Sequence, residues 1–267
     1  YLFHFIQIFA SVKIDGEFTA LNSYLASGSG KGGDIEILTK SLSIANGAYL
    51  FAITSGEGDA GIININASDS VTFDEGSFAF ISVNTDAIGN GGNIKIATGS
   101  LFITNNSRIN AATSGKGDAG KVNVDATDLI YLSNSGSILS SVNQVAEGKG
   151  GQIKLNAHSF DLNNNSRITA STFGKGDAGN IELNATDSIS LSNSSLIDSN
   201  VAAGGEGKGG LIDIKTQALT LINSSFISAA VLHESNNLPG GKGKGGDINI
   251  NASEFVTLSN SGKLTST

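Results

Sequence analysis

Several glycine-rich strings in the chain have the residue types of nucleotide-binding or calcium-binding loops. Residues 28–33 match G-x-G-x-x-G, a pattern that holds a pyrophosphate when a strand precedes it and a helix follows it. No helical period follows residues 28–33, and similar loops recur along the chain. Loops containing Asp59, Asp118 and Asp177 offer carboxylates to calcium, but they are much further apart than the nine residues of calcium-binding glycine repeats. The sequence therefore predicts no bound cofactor and no metal.

Acidic and basic side chains could together form a site that cleaves carbohydrates. Such a site needs clustered carboxylates, often with Arg or Lys, on one face. Asp161, Asp198 and Asp213 fall at different positions of the repeat described below. Arg108 and Arg167 fall at equivalent positions, but two repeat units apart, which is roughly 10 Å at the usual strand spacing. The three histidines are at unrelated positions: His4, His158 and His233. We therefore predict that the chain is not an enzyme.

The chain is built on a repeat of 59 residues. One glycine series has this spacing and consists of Gly33, Gly92, Gly151 and Gly210. A second series with the same spacing, offset by 28 residues, consists of Gly61, Gly120 and Gly179. Units of 28 and 31 residues therefore alternate. A fixed period in this range indicates a solenoid, in which each unit packs on the next.

Each unit contains three short runs in which apolar and polar residues alternate. In the unit that begins at Gly92 the apolar pairs are Ile94/Ile96, Leu101/Ile103 and Ile109/Ala111. Period-two alternation broken by Gly, Ser and Asn is typical of half-buried strands, and no segment has a sustained helical period. We predict an all-β fold, a right-handed parallel β-helix with three short strands per rung and about eight to nine rungs. The right hand follows from the general rule for parallel crossovers.

An asparagine recurs between the second and third strands of nearly every unit. The positions are Asn46, Asn105, Asn134, Asn164, Asn193, Asn223 and Asn260. Asn tolerates the left-handed backbone of a sharp corner, and its amide can bond to an identical amide one rung away. We predict a structural ladder of asparagines. A row of asparagines that binds a ligand is the alternative.

Charged residues also recur in the glycine loops, and their signs mostly alternate along the chain. Two residues before each marker glycine stand Lys31, Asp59, Asn90, Asp118, Lys149, Asp177, Lys208 and Lys244. Four residues before it, from the fourth unit on, stand Lys116, Glu147, Lys175, Glu206 and Lys242. Opposite charges at neighbouring strand positions attract and like charges repel. We predict interleaved charges that fix the register of the stack.

Composition excludes several classes of protein. The chain has 267 residues, a formal net charge of -8, 35 glycines, one proline and no Cys, Met or Trp. Absence of Cys excludes a disulfide framework and thiolate metal sites. The acidic charge and the lack of a basic stripe argue against a nucleic-acid partner. The apolar opening, residues 1–10, is too short to span a membrane, so we predict no membrane span.

Two regions depart from the regular array. We predict that residues 1–29 form a partial or frayed rung and that residues 30–267 form the repeat array. Within the array, residues 231–244 are a loop insertion, which is either a tolerated surface loop or a binding loop. Because the chain contains no Met and stops inside the third strand of a unit, we expect it to be a segment of a longer array.

The repeated strings G-x-G-G-[DN]-I-x-I, L-x-I-x-N and G-x-G-D-A-G resemble the central repeats of filamentous-haemagglutinin-like exoproteins. The resemblance covers residues 30–267. It implies a right-handed β-helical shaft that is secreted by a two-partner pathway, with an outer-membrane secretion partner, and is displayed at or released from the cell surface. Many members of the family are adhesins.

On this basis we expect a structural and interaction protein, a segment of a secreted or surface-displayed adhesin shaft. Its Ser-, Thr- and Asn-rich outer faces are expected to make weak multivalent contacts with glycans or other cell-surface molecules. Two alternatives stay open: a polysaccharide lyase or hydrolase on the same scaffold, and a passive spacer. The fold alone does not choose among them.

Overall fold

The computed structural model describes residues 3–8, 10–235 and 237–267. These residues form strands and turns, with no helix. The strands pair in parallel from coil to coil and stack into a solenoid, so the predicted all-β parallel β-helix is confirmed. Within the same ranges, no helix is long and apolar enough to cross a membrane.

The larger sheet, here called the long-strand sheet, has 11 strands. With strands numbered in chain order, it contains β1 (Phe3–Gln7), β2 (Ser11–Asp15), β4 (Asp34–Ala45), β6 (Ile62–Phe73), β8 (Asn93–Ile103), β10 (Lys121–Ala126), β11 (Leu129–Leu132), β13 (Ile153–Leu162), β15 (Ile181–Leu191), β18 (Ile212–Leu221) and β21 (Ile248–Leu258).

The second sheet, here called the short-strand sheet, has nine strands. It contains β3 (Ala20–Leu25), β5 (Tyr49–Thr54), β7 (Phe78–Val83), β9 (Arg108–Asn110), β12 (Ser137–Leu139), β14 (Arg167–Thr169), β16 (Leu196–Asp198), β19 (Phe226–Ser228) and β22 (Lys263–Thr265). A two-stranded sheet in the glycine loops is formed by β17 (Glu206–Lys208) and β20 (Lys242–Lys244).

The division of each rung differs from the prediction of three short strands. In most coils the first two predicted strands are one long strand that bends at a corner, as in β6, which has 12 residues. Pairing continues around the bend with a local register shift, for example between Thr39 and Ser41 of β4. The two parts are separate strands in β1 and β2 and again in β10 and β11. Between β10 and β11, Thr127 and Asp128 still donate backbone hydrogen bonds to the coil before. Because backbone pairing persists through the corner, the turn-forming residues there are part of a bulged strand.

Aliphatic side chains form columns inside the coil, as predicted. Ile35 lies beside Ile63, and Ile63 beside Ile94, and all three are fully buried. Val256 and Leu258 of β21 keep the same register but are exposed, since they have a coil on one side only. Burial of the columns therefore comes from stacking rather than from any single coil.

The glycine loops bring backbones of successive coils into direct contact. A Cβ atom added to Gly92 would overlap the carbonyl oxygen of Gly61, which is backbone and cannot move aside cheaply. Gly76, on a corner instead, has φ of 73° and open space around it. The marker glycines are thus required for close packing, whereas the corner glycine serves the left-handed conformation.

The two irregular regions also pair with the array. Strands β1 and β2 pair with β4, and β3 pairs with β5, so residues 3–7, 11–15 and 20–25 follow the pattern of later coils. The insertion folds back on the solenoid, where the Gly204 N–H donates to the Pro239 carbonyl over 2.7 Å. Residues 1, 2, 9 and 236 lie outside the described residues.

Candidate interaction surface

The recurring asparagines lie one above another at the corner between the two sheets. From the third coil on, each Nδ2 atom donates to the residue at the same corner one coil earlier: Asn134 to Asn105 (2.9 Å), Asn164 to Asn134 (3.1 Å), Asn193 to Asn164 (3.2 Å), Asn223 to Asn193 (3.0 Å) and Asn260 to Asn223 (3.2 Å). Their φ angles are all positive, for example 51° at Asn164. The side-chain amides are thus used within the stack, as a structural ladder requires.

Asp74 fixes the direction in which this ladder donates. Its Oδ1 atom accepts from Thr104 Oγ1 at 2.6 Å, Asn105 Nδ2 at 2.8 Å and the Glu75 N–H at 2.9 Å. Burial raises the pKa of Asp74, but these three hydrogen bonds outweigh burial and leave the pKa below its ordinary value. An ionised carboxylate only accepts, so Asn105 must present its NH₂ group to Asp74, and each later amide follows the same orientation.

Asn46 belongs to a separate, shorter pair. Its Nδ2 atom donates to Asp15 Oδ1 at 2.6 Å, while Glu75 occupies the equivalent corner position of the next coil. Hydrogen bonds from Lys13 and then Asn46 hold the pKa of Asp15 below its ordinary value. Both the Asp15–Asn46 pair and the longer ladder therefore begin at an aspartate that accepts from the corner asparagine of the next coil.

In the glycine loops the predicted charges are neighbours, but most of them are not ion-paired. Lys116, Glu147 and Lys175 are bridged in register, yet among the described residues this column holds one ion pair, Lys175–Glu147 at 3.5 Å. Asp118 instead accepts the backbone N–H of Lys149 at 2.8 Å through Oδ1. Equivalent bonds join Asp59 to the Asn90 N–H and Asp177 to the Lys208 N–H. The aspartates therefore act chiefly as acceptors for backbone amides of the following coil.

The candidate catalytic carboxylates do not come together. Asp161 lies in β13 of the long-strand sheet, Asp213 in β18 is ion-paired with Lys215 at 3.4 Å, and Asp198 lies in β16 of the short-strand sheet. Nowhere in the described ranges do three His, Cys, Asp or Glu side chains converge as metal ligands would. The structure thus brings no two of the three predicted carboxylates together, and the described residues hold no group of three such side chains placed to bind a metal.

Asp198 is the centre of a buried polar cluster that the sequence did not reveal. Its carboxylate accepts from Thr169 Oγ1 at 2.6 Å and from the Ser171 hydroxyl, and its exposure is 8%. Asn200 extends the cluster by donating to Asp198 and by accepting from Ser228 Oγ at 2.7 Å. Burial raises the pKa of Asp198, and the hydrogen bonds and the nearby Arg167 charge offset this only in part. The cluster joins three coils and is closed to solvent, which makes it a structural element.

An aromatic row covers the outer side of the short-strand sheet at its N-terminal end. Tyr49 stacks on Phe78 with ring centroids 5.2 Å apart and planes 8° from parallel. Phe51 contacts both rings and meets Phe80 with centroids 5.6 Å apart. All four side chains are only partly buried. They alternate with the inward residues of β5 and β7, so the strand period places them on the outside.

Arg108 extends this row by one coil. Its guanidinium carbon lies 5.4 Å from the Phe78 ring centroid, in the range of a cation–π interaction. Arg108 pairs in register with Ser137, and Ser137 with Arg167, so the two arginines stand two coils apart with a small buried serine between them. Both are exposed, and neither forms an ion pair with any carboxylate of the described ranges.

The outer side of the short-strand sheet is therefore basic, although the chain carries a formal charge of -8. Its outward charges in β9, β14 and β22 are Arg108, Arg167 and Lys263, and its one outward carboxylate is the buried Asp198. We call the side chains of Tyr49, Phe51, Phe78, Phe80, Arg108 and Arg167 the aromatic–arginine surface.

Sequence reasoning missed this surface although the signal was present. Leu50 and Ala52 stand at the repeat positions of the apolar pair Ile109 and Ala111, and both are fully buried. Period two then requires that Tyr49 and Phe51 point outward. The sequence signal for this surface is a pair of aromatic residues at outward positions in two successive units. The prediction of polar outer faces overlooked it.

Comparisons of the chain with protein-family models, with curated proteins and with solved structures found no match. The aromatic–arginine surface is therefore assessed on its geometry and chemistry alone. It combines rigid apolar rings with unpaired guanidinium groups on one side of a packed solenoid.

Proposed function

We propose that the chain is a structural and interaction segment of a secreted or surface-displayed adhesin, in which the β-helix is a shaft that also contacts glycans. The observation that carries the proposal is the aromatic–arginine surface, which combines partly exposed rings with exposed cations on a scaffold whose interior is filled. Ladders at the corners and in the glycine loops hold each coil in register, which suits a protein that must keep its shape outside a cell.

Several features support a binding role rather than a catalytic one. In the long-strand sheet, Glu182 and Asp213 are neighbours in register, but each is ion-paired with a lysine. The partner of Glu182 is Lys154 at 2.9 Å, and the partner of Asp213 is Lys215 at 3.4 Å. The buried acid of the short-strand sheet, Asp198, is enclosed by hydroxyl groups and an amide. Exposed aromatic residues and arginine are the types enriched where proteins bind partners.

Incubation of the purified chain with immobilised and soluble polysaccharides tests the proposal. We expect retention on some glycans without new reducing ends or unsaturated products. Turnover that disappears when Asp161 or Asp213 is replaced by Asn would establish the enzyme instead. Absence of binding to every glycan and every cell surface tried would establish a passive spacer. Protease accessibility of the chain on intact producing cells tests surface display, and complete protection with the cells intact would contradict it.

A further inference from the structure

We infer that the aromatic–arginine surface binds a linear acidic polysaccharide whose sugars lie along the solenoid axis and whose carboxylates meet Arg108 and Arg167. The inference rests on the proposed function and specifies its ligand. The chemistry follows from the side chains: a pyranose has an apolar C–H side that packs on aromatic rings and hydroxyl edges that face solvent. A guanidinium binds a carboxylate through two parallel hydrogen bonds.

The arginines argue for an acidic ligand rather than a neutral one. An exposed guanidinium in an acidic protein would ordinarily find a carboxylate of its own chain. Neither Arg108 nor Arg167 has an ion pair with a described carboxylate, although the Arg167 charge acts beyond ion-pair distance on the buried Asp198. Arg108 is held over the Phe78 ring, which orients it. A group that is oriented and unpaired needs less reorganisation when a ligand arrives.

Spacing argues for a chain-like ligand. Arg108, Ser137 and Arg167 lie in one column on successive coils, so the arginine Cα atoms are about 10 Å apart at two strand spacings. Ser137 is small and buried, so no long side chain stands between the two arginines in this column. A 1,4-linked pyranose advances along its chain by about one strand spacing, so carboxylates on alternate sugars would reach both arginines.

The size of the surface argues against a folded protein as the occupant. Stable protein interfaces bury about 800 Å² per partner with an apolar centre. Here four partly buried rings lie on two coils, and three polar residues from Arg108 to Arg167 follow them on the next three coils. The apolar side chains of Leu196 and Phe226 come only after this polar stretch, so the apolar area is divided rather than central. A narrow ligand that follows one column fits this distribution better.

Isothermal titration with polygalacturonate as the probe tests the inference, with a neutral glucan and a sulfated glucan as separate arms. We expect binding to polygalacturonate that weakens as salt rises, and about fivefold to tenfold weaker binding for each of Arg108→Gln and Arg167→Gln. The matched control is Lys149→Gln with Lys208→Gln, which removes the same charge from exposed loop positions on another edge. Arg108→Lys should restore only part of the affinity, because Lys lacks the planar fork.

The outcomes separate this inference from the proposed function. Equal weakening by the lysine control would show a general charge effect and overturn the assigned site. Unchanged binding in the arginine double variant, or binding of neutral glucan alone, would overturn the ligand assignment while leaving glycan adhesion standing. Tighter binding of the sulfated glucan than of polygalacturonate would overturn the assignment of a carboxylate as the group that the arginines bind. Circular dichroism melts of each variant check that the solenoid is intact, since both arginines are exposed and should tolerate Gln.

Discussion

A double-mutant cycle on the asparagine ladder tests whether the corner amides bind one another. The change is Asn134→Ala, Asn164→Ala and the two together. Asn134 donates to Asn105 and accepts from Asn164, while Asn164 donates to Asn134 and accepts from Asn193. Each single change therefore removes two hydrogen bonds, and the double change removes three, because one bond is shared.

The expected magnitudes follow from that count. An intramolecular hydrogen bond contributes about 0.5–1.5 kcal/mol net, and these corner bonds are exposed, which favours the lower half of the range. Alanine in the left-handed conformation adds about 1–2 kcal/mol of strain at each site, where φ is 50° and 51°. The free energy of unfolding of each single variant should therefore be about 2–4 kcal/mol lower than that of the wild type. The strain terms appear equally in the single and double variants, so the coupling energy should equal one bond, about 0.5–1.5 kcal/mol.

Urea unfolding of the purified chain, followed by far-ultraviolet circular dichroism, measures the four free energies of unfolding. Stacked coils unfold as nearest neighbours, so the same transition must be compared in all four proteins. Hydrogen exchange at the backbone N–H of residues 135 and 165 gives a local readout, since each of these N–H groups bonds to the next corner asparagine over 2.9–3.0 Å.

The control pair is Asn134→Ala with Asn223→Ala. These residues share no hydrogen bond, since Asn223 donates to Asn193 and accepts from Asn260. Their effects should add. A coupling energy near zero for Asn134 and Asn164, or an equal coupling in the control pair, would refute the direct amide ladder.

Three further predictions concern the buried acid, the marker glycines and the loop aspartates. Burial raises the pKa of Asp198, so the contribution of its protonated form to stability is present in acid and falls as pH rises above the ordinary pKa of Asp. The wild type should therefore lose stability relative to Asp198→Asn between pH 4 and pH 7. A difference in melting temperature that stays constant over this range would contradict the prediction. Gly92→Ala should destabilise the fold by more than about 3 kcal/mol because its Cβ meets the Gly61 backbone, whereas Gly76→Ala should cost only about 1–2 kcal/mol of backbone strain; equal melting temperatures would show that the coils can separate locally. Asp118→Asn keeps an oxygen that accepts from the Lys149 N–H and should change the free energy of unfolding by less than about 0.5 kcal/mol. Asp118→Ala removes this acceptor and should lower the free energy of unfolding by about 1 kcal/mol. A large loss of stability in Asp118→Asn would show that Asp118 acts through its charge, by ion pairing.

The interior columns and the corner ladder could be predicted because the same residue type recurs at the same position of successive units. Ile35, Ile63 and Ile94 share one interior column, and the period of the glycines alone aligns them. Asn134 and Asn164 are likewise neighbours because each unit carries one asparagine at the same corner. Stacking turns equal positions in the sequence into contacts in space, so these features need no knowledge of the tertiary structure.

The remaining features depend on local geometry that the period does not report. Asp69 and Asp128 look like turn residues, yet backbone pairing runs through these corners, because a bulge accommodates the extra residues without ending the strand. Asp198 is polar in sequence but buried in space, since neighbouring hydroxyl groups at Thr169 and Ser171 enclose it. Asp118 was predicted to attract lysine, but a carboxylate held at the loop reaches a backbone N–H of the next coil first.

These differences bear on where a ligand can bind. Side chains in the corner ladder and the glycine-loop aspartates form hydrogen bonds to the neighbouring coil, so part of their donor and acceptor capacity is already used within the stack. One outward column of the short-strand sheet differs from these ladders, because its residue type changes from coil to coil. Its members include Tyr49, Phe78, Arg108, Ser137 and Arg167. A column free of structural constraint can vary without loss of the fold. The combination of rings and unpaired arginines on that column is therefore better explained by contact with a ligand than by the needs of the solenoid.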